Sequence, residues 1–282
     1  MEPQPNPTPN KTPQSFGFFD LSGATINARM AMAMEFAKTK RLHEPHSEAD
    51  YLSINGGIAI YGGAASPYNR VYGFGGQKTY LEDIARIESF YWPKLTSFEI
   101  ELAPLAAPEA REVLQTRKYL PTQTRQIWAL PIGEDLTETC DHSPETIISL
   151  TPNHQKAWVA YLDQAFGQPM SWDAVATFET YSKMPSVQKF VALDEDKPAG
   201  AGALFLRDRT AILFSAGIEL AFRGKGLYRE LVCSRLQYAQ AFGADLAIAE
   251  TVAGSKTSKN LANMGFQMIC ALSLYSRQRE TF

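Results

Sequence analysis

The chain has 282 residues, of which 45% are hydrophobic and 20% charged, and its net charge is −3. That is an ordinary globular balance, with length enough for two modest domains and a sizeable core. The slight acidity and the lack of a long basic run argue against a nucleic-acid partner, and no apolar stretch approaches the roughly 20 residues that cross a bilayer.

Residues 1–15, MEPQPNPTPNKTPQS, are polar and proline-rich and read as a disordered lead-in. They hold no apolar segment, so no secretory signal is expected. The three cysteines, Cys140, Cys233 and Cys270, are odd in number and far apart. Neither a disulfide framework nor a metal site is expected from them, and a cytoplasmic location is the default. Cys233 and Cys270 fall inside apolar elements and read as small buried hydrophobes.

The first block spans 16–135. Residues 27–42 have helical periodicity, YLSINGGIAIYGG and the run through RVYGFGG read as strands, and 79–91 is a helix with Leu81, Ile84, Ile87 and Phe90 inside. A strand at 98–104, a helix at 108–119 and a strand at 126–132 follow. The polar stretch 136–149 reads as a linker. The second block, 150–282, opens with helices at 157–166 and 173–184. Strands follow at 187–193, 199–206 and 210–220. A glycine-rich basic loop leads to a helix ended by Gly243, then a strand at 245–251, a short helix at 255–264 and a strand at 268–277. The order strand, Gly-rich turn, helix, strand, helix, strand occurs in both blocks. An internal duplication of an α/β (α+β) fold is therefore expected, each copy a mixed twisted sheet flanked by helices.

The loop, ELAFRGKGLYRE, carries the chemistry. The first N–H groups of a helix lack intrahelical partners and sit at the positive end of its dipole. Gly224 and Gly226 let the backbone approach a ligand, while Arg223, Lys225 and Arg229 add charge. Such a loop can cradle a pyrophosphate; the plainer reading is a turn with solvated basic residues. A dinucleotide fingerprint lacks its third glycine here, and no P-loop spacing is present. R-x-x-G-x-G/A is matched through Arg223, Gly226 and the position of Tyr228. With ETVAGSKTSKNLANMGF (250–266), the second block resembles the GNAT acetyltransferase superfamily, and the first looks like a degenerate copy, as in tandem GNAT proteins.

The resemblance implies acetyl-CoA as co-substrate and no metal. It places the pyrophosphate on Arg223, Gly224, Lys225, Gly226, Leu227 and Tyr228, the pantetheine arm along Ile218 and Leu220, and Thr251, Ser258 and Asn260 beside the cofactor. It implies transfer of an acetyl group to a primary amine. Leu261 stands where many members carry a tyrosine acid. The usual acid is then absent or replaced by Tyr275, another side chain or water, and a non-catalytic CoA-binding protein or transfer of a longer acyl group is the alternative. Glu219 and Glu250 are candidate bases, or else solvent-facing or ion-paired strand residues. The four histidines, His43, His46, His142 and His154, lie outside the matched motifs; His43 and His46 read as surface residues of a polar loop, or reach the cleft if the first block covers it. The first block's turn, YGFGGQKTYLED, lacks basic residues and puts Glu82 and Asp83 at its helix start, so no CoA is expected there. Without an acidic or basic tract to meet a peptide, the expected acceptor is a small amine such as an amino acid, amino sugar or antibiotic. Oligomeric state is not encoded.

Overall fold

A computed structural model of the chain describes residues 18–64, 66–103, 105–133, 136, 140, 146–150, 154–167 and 169–279. The lead-in 1–15 and most of the linker 136–149 lie outside these residues. Among them, no helix is long and apolar enough to cross a membrane.

The first half runs α1 (Phe18–His43), β1 (Asp50–Ile54), β2 (Gly57–Tyr61), β3 (Arg70–Phe74), α2 (Leu81–Tyr91), β4 (Ser97–Leu102), α3 (Pro108–Thr116) and β5 (Leu120–Pro131). The second runs β6 (Ile147–Leu150), α4 (Gln155–Phe166), α5 (Trp172–Lys183), β7 (Val187–Asp194), β8 (Lys197–Arg207), β9 (Thr210–Ile218), α6 (Leu227–Ala241), β10 (Leu246–Val252), α7 (Lys256–Asn263) and β11 (Gln267–Gln278). The repeat is visible in this order: β1-β2-β3-α2-β4-α3-β5 matches β7-β8-β9-α6-β10-α7-β11.

Among the described residues, eleven strands form one sheet, in the order β1-β2-β3-β4-β11-β5-β10-β9-β8-β7-β6. Within each half the hairpin-linked strands are antiparallel, and β3–β4 and β9–β10 are the parallel pairs. At the centre the halves exchange strands. β11 lies between β4 and β5, and β5 lies between β11 and β10, antiparallel throughout. Each half's parallel pair is therefore extended by a strand from the other half.

Burial explains the helices. In α6, Leu227, Leu231, Val232, Leu236 and Ala239 form the apolar stripe and pack with Phe190, Leu204 and Leu213 of the sheet. Each buried leucine contributes about 1.5–3 kcal/mol. On the other sheet face, α4 and α5 supply Trp158, Leu162 and Tyr181, and α1 reaches across from the first half with Ala28, Met32 and Phe36 into the same cluster. A third cluster, around Ile84, Tyr91, Ile100 and Leu114, is the core of the first half. The aromatic run at 90–92 belongs here: Tyr91 stacks on Phe98 with centroids 4.2 Å apart.

Three differences from the sequence reading have local causes. Helix α1 starts before Asn27 and runs through Gly23, which is exposed; a helical glycine costs about 1 kcal/mol against alanine without ending the helix. Strand β9 stops at Ile218, because Leu220–Phe222 turn as a 3-10 helix behind Glu219. Cys140 and Cys233 are joined as a disulfide, with Cα atoms 5.4 Å apart, which corrects their reading as unpaired. Spacing of 93 residues hid the pair; folding lays the segment after β5 against α6.

Exchange of the central strands sets a test for the division into 16–135 and 150–282, which we propose marks two copies rather than two independent folding units. Fragments cut at these limits are expected to lack a cooperative melt when expressed alone and to regain it when mixed. Circular dichroism melts of each fragment and of the mixture check this.

Candidate functional site

The basic loop closes one end of a groove of about 610 Å³. Gly224 and Gly226 both have φ of +86°, and Gly226 is the N-cap of α6. At that φ an L side chain is strained. A Cβ on Gly224 would meet nothing within 4 Å, so the space above the turn is open. Among the described residues, no backbone acceptor takes the N–H groups of Gly224 to Tyr228. Ala216, Gly217, Ile218, Arg223 and Leu227 line the groove on one side, and Lys256, Asn260 and Asn263 of α7 on the other. The corresponding turn of the first half is filled instead. A Cβ on Gly75 would lie 2.7 Å from the Ala106 side chain, and Asp83 accepts the Tyr80 N–H at 2.9 Å.

The groove leads to a parting of the sheet. Strands β9 and β10 pair from Thr210↔Leu246 to Ile212↔Ile248 and then separate. Strand β9 carries a bulge there: the β8 register shifts between Ala201 and Ala203, and Ser215 has φ of +46°. A bulge bends its strand and frees ladder groups.

Beyond the parting lies a second cavity of about 270 Å³. Its walls come from both halves: Arg29 of α1, Arg70 and Tyr72 of β3, Arg125 of β5, Tyr181 of α5 and Glu250 of β10. A smaller cavity of about 210 Å³ joins the two. It shares Phe166, Ala216, Tyr228 and Thr257 with the groove, and Leu213, Phe214, Ser215, Ala249 and Glu250 with the second cavity. A ligand along the groove and one in the second cavity would therefore meet between β9 and β10. Among the described residues, no group of three or more His, Cys, Asp or Glu is placed to hold a metal ion.

A sequence model of the acetyltransferase (GNAT) family matches residues 150–266. Residues 150–266 therefore carry a GNAT-family domain. Solved structures extend the fold likeness to the first half. A tandem GNAT protein from the clavulanic acid biosynthesis pathway superposes with a TM-score of 0.64 at 12% identity, over 94% of this chain and 96% of that one. A GCN5-related N-acetyltransferase from Kribbella flavida gives 0.59 at 14% identity, over 88% and 96%. A conserved protein of unknown function from Staphylococcus epidermidis gives 0.58 at 9%, over 83% and 96%. The chain is thus a tandem GNAT fold. A search of curated protein sequences finds no match.

Within the GNAT domain, Ile218, Arg223, Gly224, Gly226, Leu227, Tyr228 and Asn260 line the groove. Four of the residues expected beside a cofactor do not. Lys225 turns to Asp194, with Nζ 2.6 Å from its carboxylate. Leu220 lies in the 3-10 turn, 72% exposed, so strand alternation from Ile218 does not carry over to it. Thr251 accepts a hydrogen bond from Trp128 Nε1 at 3.0 Å, and the Ser258 hydroxyl donates to the Ser255 carbonyl at the start of α7. Arg223 donates through Nε to the Ile218 carbonyl at 2.8 Å, which ties the loop to the end of its strand.

The catalytic candidates separate in the same way. Tyr275 is corrected: it lies on the exchanged β11, pairs with Ile100 of β4 and sits in the core of the first half. Glu219 is half-buried at the start of the 3-10 turn, where its N–H reaches the Ala199 carbonyl, and it lines none of the three cavities. Glu250 does face the joining cavity, but as a member of a charge network. Its Oε2 is 2.6 Å from Arg29 Nη2, and its Oε1 is 3.5 Å from Arg70 and 3.7 Å from Arg125. Behind it the buried Glu101 takes Arg29 through two bonds of 2.5 and 2.7 Å, and Glu99 takes Arg70. Burial opposes the Glu250 charge, but the arginines outweigh it and hold the carboxyl down to about 2. So weak a base holds no proton at neutral pH. His43, His46 and His154 are exposed, and His142 lies outside the described residues.

Sequence reading missed Arg29, Arg70, Arg125, Tyr68, Tyr72 and Tyr181, because their meeting depends on how the two halves come together. It also passed over Arg235. Four residues after Leu231 on the apolar stripe of α6, that arginine is a visible break in the pattern.

The lowered Glu250 carboxyl has a stability consequence. Its pairing favours the fold above the ordinary glutamate pKa of about 4.3, and that contribution is lost as pH falls toward about 2. Glu250→Gln is expected to lower the melting temperature at pH 7 and to converge on the parent only as pH falls to about 2. Thermal melts across that range check it.

Proposed function

We propose that the chain transfers an acyl group, in the simplest case acetyl, from acyl-CoA to the primary amine of a small molecule. One observation carries the reading: an open loop-capped groove and an arginine- and tyrosine-lined cavity meet through the parting of β9 and β10. A pyrophosphate on the loop N–H groups and Arg223 would lay the pantetheine arm along Ile218 to Ala216 and bring the thioester to the parting. The amine would enter from the second cavity, whose volume suits a small molecule rather than a protein surface.

In this reading Glu250, held ionised, attracts the incoming ammonium and orients it but does not keep its proton. The proton leaves to water before attack, and the neutral amine displaces CoA from the carbonyl carbon. The filled turn of the first half supports one cofactor per chain. Leu261 in the joining cavity favours a second reading, CoA binding without turnover, and thiol release decides between the two.

Calorimetric titration of acetyl-CoA, followed by thiol release across a panel of amines, tests the proposal. Expected are one site per chain and release with at least one amine; no binding would overturn it. Arg223→Glu is expected to weaken acetyl-CoA binding at least tenfold in the same titration. With the amine deprotonated by water, kcat/KM should climb about tenfold per pH unit toward the acceptor's own pKa, near 10 for an alkylammonium. A plateau setting in between pH 5 and 8 would reveal a protein base.

A further inference from the structure

Three ionisable side chains line the cavity that joins the groove to the second cavity: Tyr228, Arg235 and Glu250. Glu250 is occupied by Arg29, Arg70 and Arg125. Arg235 is different. It is 1% exposed, and among the described residues it has no carboxylate partner. Its Nε donates to the Leu231 carbonyl at 2.9 Å and its Nη1 to the Ala203 carbonyl at 3.2 Å. Gly202 lies over the guanidinium, where a Cβ would sit 3.4 Å from Cζ. The rest of that cavity's lining is uncharged, including Ser215 and Ala216 of β9 and Thr257 and Leu261 of α7.

A buried cation without an anion is costly to keep, and an apolar side chain would pack at that place without the cost. Burial draws Arg235 down to about 10, opposed by Tyr228. A buried arginine held, among the described residues, by backbone carbonyls alone is placed to take up negative charge from a ligand.

The position fits one such charge. Arg235 lies nine residues beyond Gly226, roughly 13 Å down the α6 axis. The pantetheine arm from phosphate to sulfur is about thirteen bonds, roughly 15 Å when extended. Strand β9 runs up to the loop and α6 runs back, so an arm retreating from the loop along Ile218 to Ser215 reaches the level of Arg235.

We propose that Arg235 stabilises the negative charge on the CoA sulfur as the thioester breaks. This rests on the reading of the groove as an acyl-CoA site. The amine nitrogen forms its bond to the carbonyl carbon, the carbon–sulfur bond breaks, and its electron pair stays on sulfur. The amine proton goes to water, and the thiolate remains beside the guanidinium until CoA departs.

The test is the thiol pKa of bound CoA, read from thiolate absorbance against pH and corrected with CoA-free protein. The free thiol Cys270, held up to about 11, stays out of the working range. In the parent protein the bound thiol is expected about 1–3 units below free CoA. Arg235→Lys should keep part of that shift. Arg235→Gln should abolish it and lower kcat at least tenfold, with CoA affinity within threefold of the parent. Should Arg235→Gln fail to fold, the parent and the lysine variant still decide the matter. CoA that binds with an unshifted thiol in the parent overturns the role of Arg235 and leaves the groove assignment standing. CoA that does not bind overturns both.

Discussion

The parting of β9 and β10 is the constraint on which the site depends. Two parallel strands that stayed paired would fill the sheet with ladder hydrogen bonds and leave no passage through it. Here pairing stops at Ile212↔Ile248, and the bulge at Ser215 turns β9 aside. The loop, the groove and both cavities are arranged around that opening. Helix α6 returns along β9, so its N-terminus faces the groove at one end and Arg235 lies at the other.

Charge is distributed unequally across the opening. On the second-cavity side, Arg29, Arg70 and Arg125 meet Glu99, Glu101 and Glu250 in a balanced set. Such a network is stable while complete and costly when one member is removed. On the α6 side the buried Arg235 has, among the described residues, no carboxylate partner. The first half contributes to the network through α1, β3, β4 and β5, so a half without an open loop of its own still supplies much of the wall of the second cavity.

Local chemistry was legible in the sequence; meeting points were not. Gly224, Gly226 and Arg223 could be read because a turn with positive φ before a helix imposes residue types at fixed spacing. The repeated element order was legible for the same reason. Lys225 and Leu220 were misplaced because a side chain on a loop answers to distant partners: Asp194 for the lysine, and solvent for a leucine carried out by the 3-10 turn. Tyr275 was misplaced because the pattern of β11 marks it as a strand without naming its neighbours. Its register against β4 and β5 is set by the other half of the chain. Cys140 and Cys233 give no local sign of each other for the same reason.

Exchange of β5 and β11 also orders events in time. Strand β11 occupies the middle of the sheet yet is made after every other strand. During synthesis β4 and β5 wait with their facing edges unpaired, and an open edge is a template for the wrong partner. The sheet closes only over long sequence separations, which slows folding relative to a fold built from local pairs.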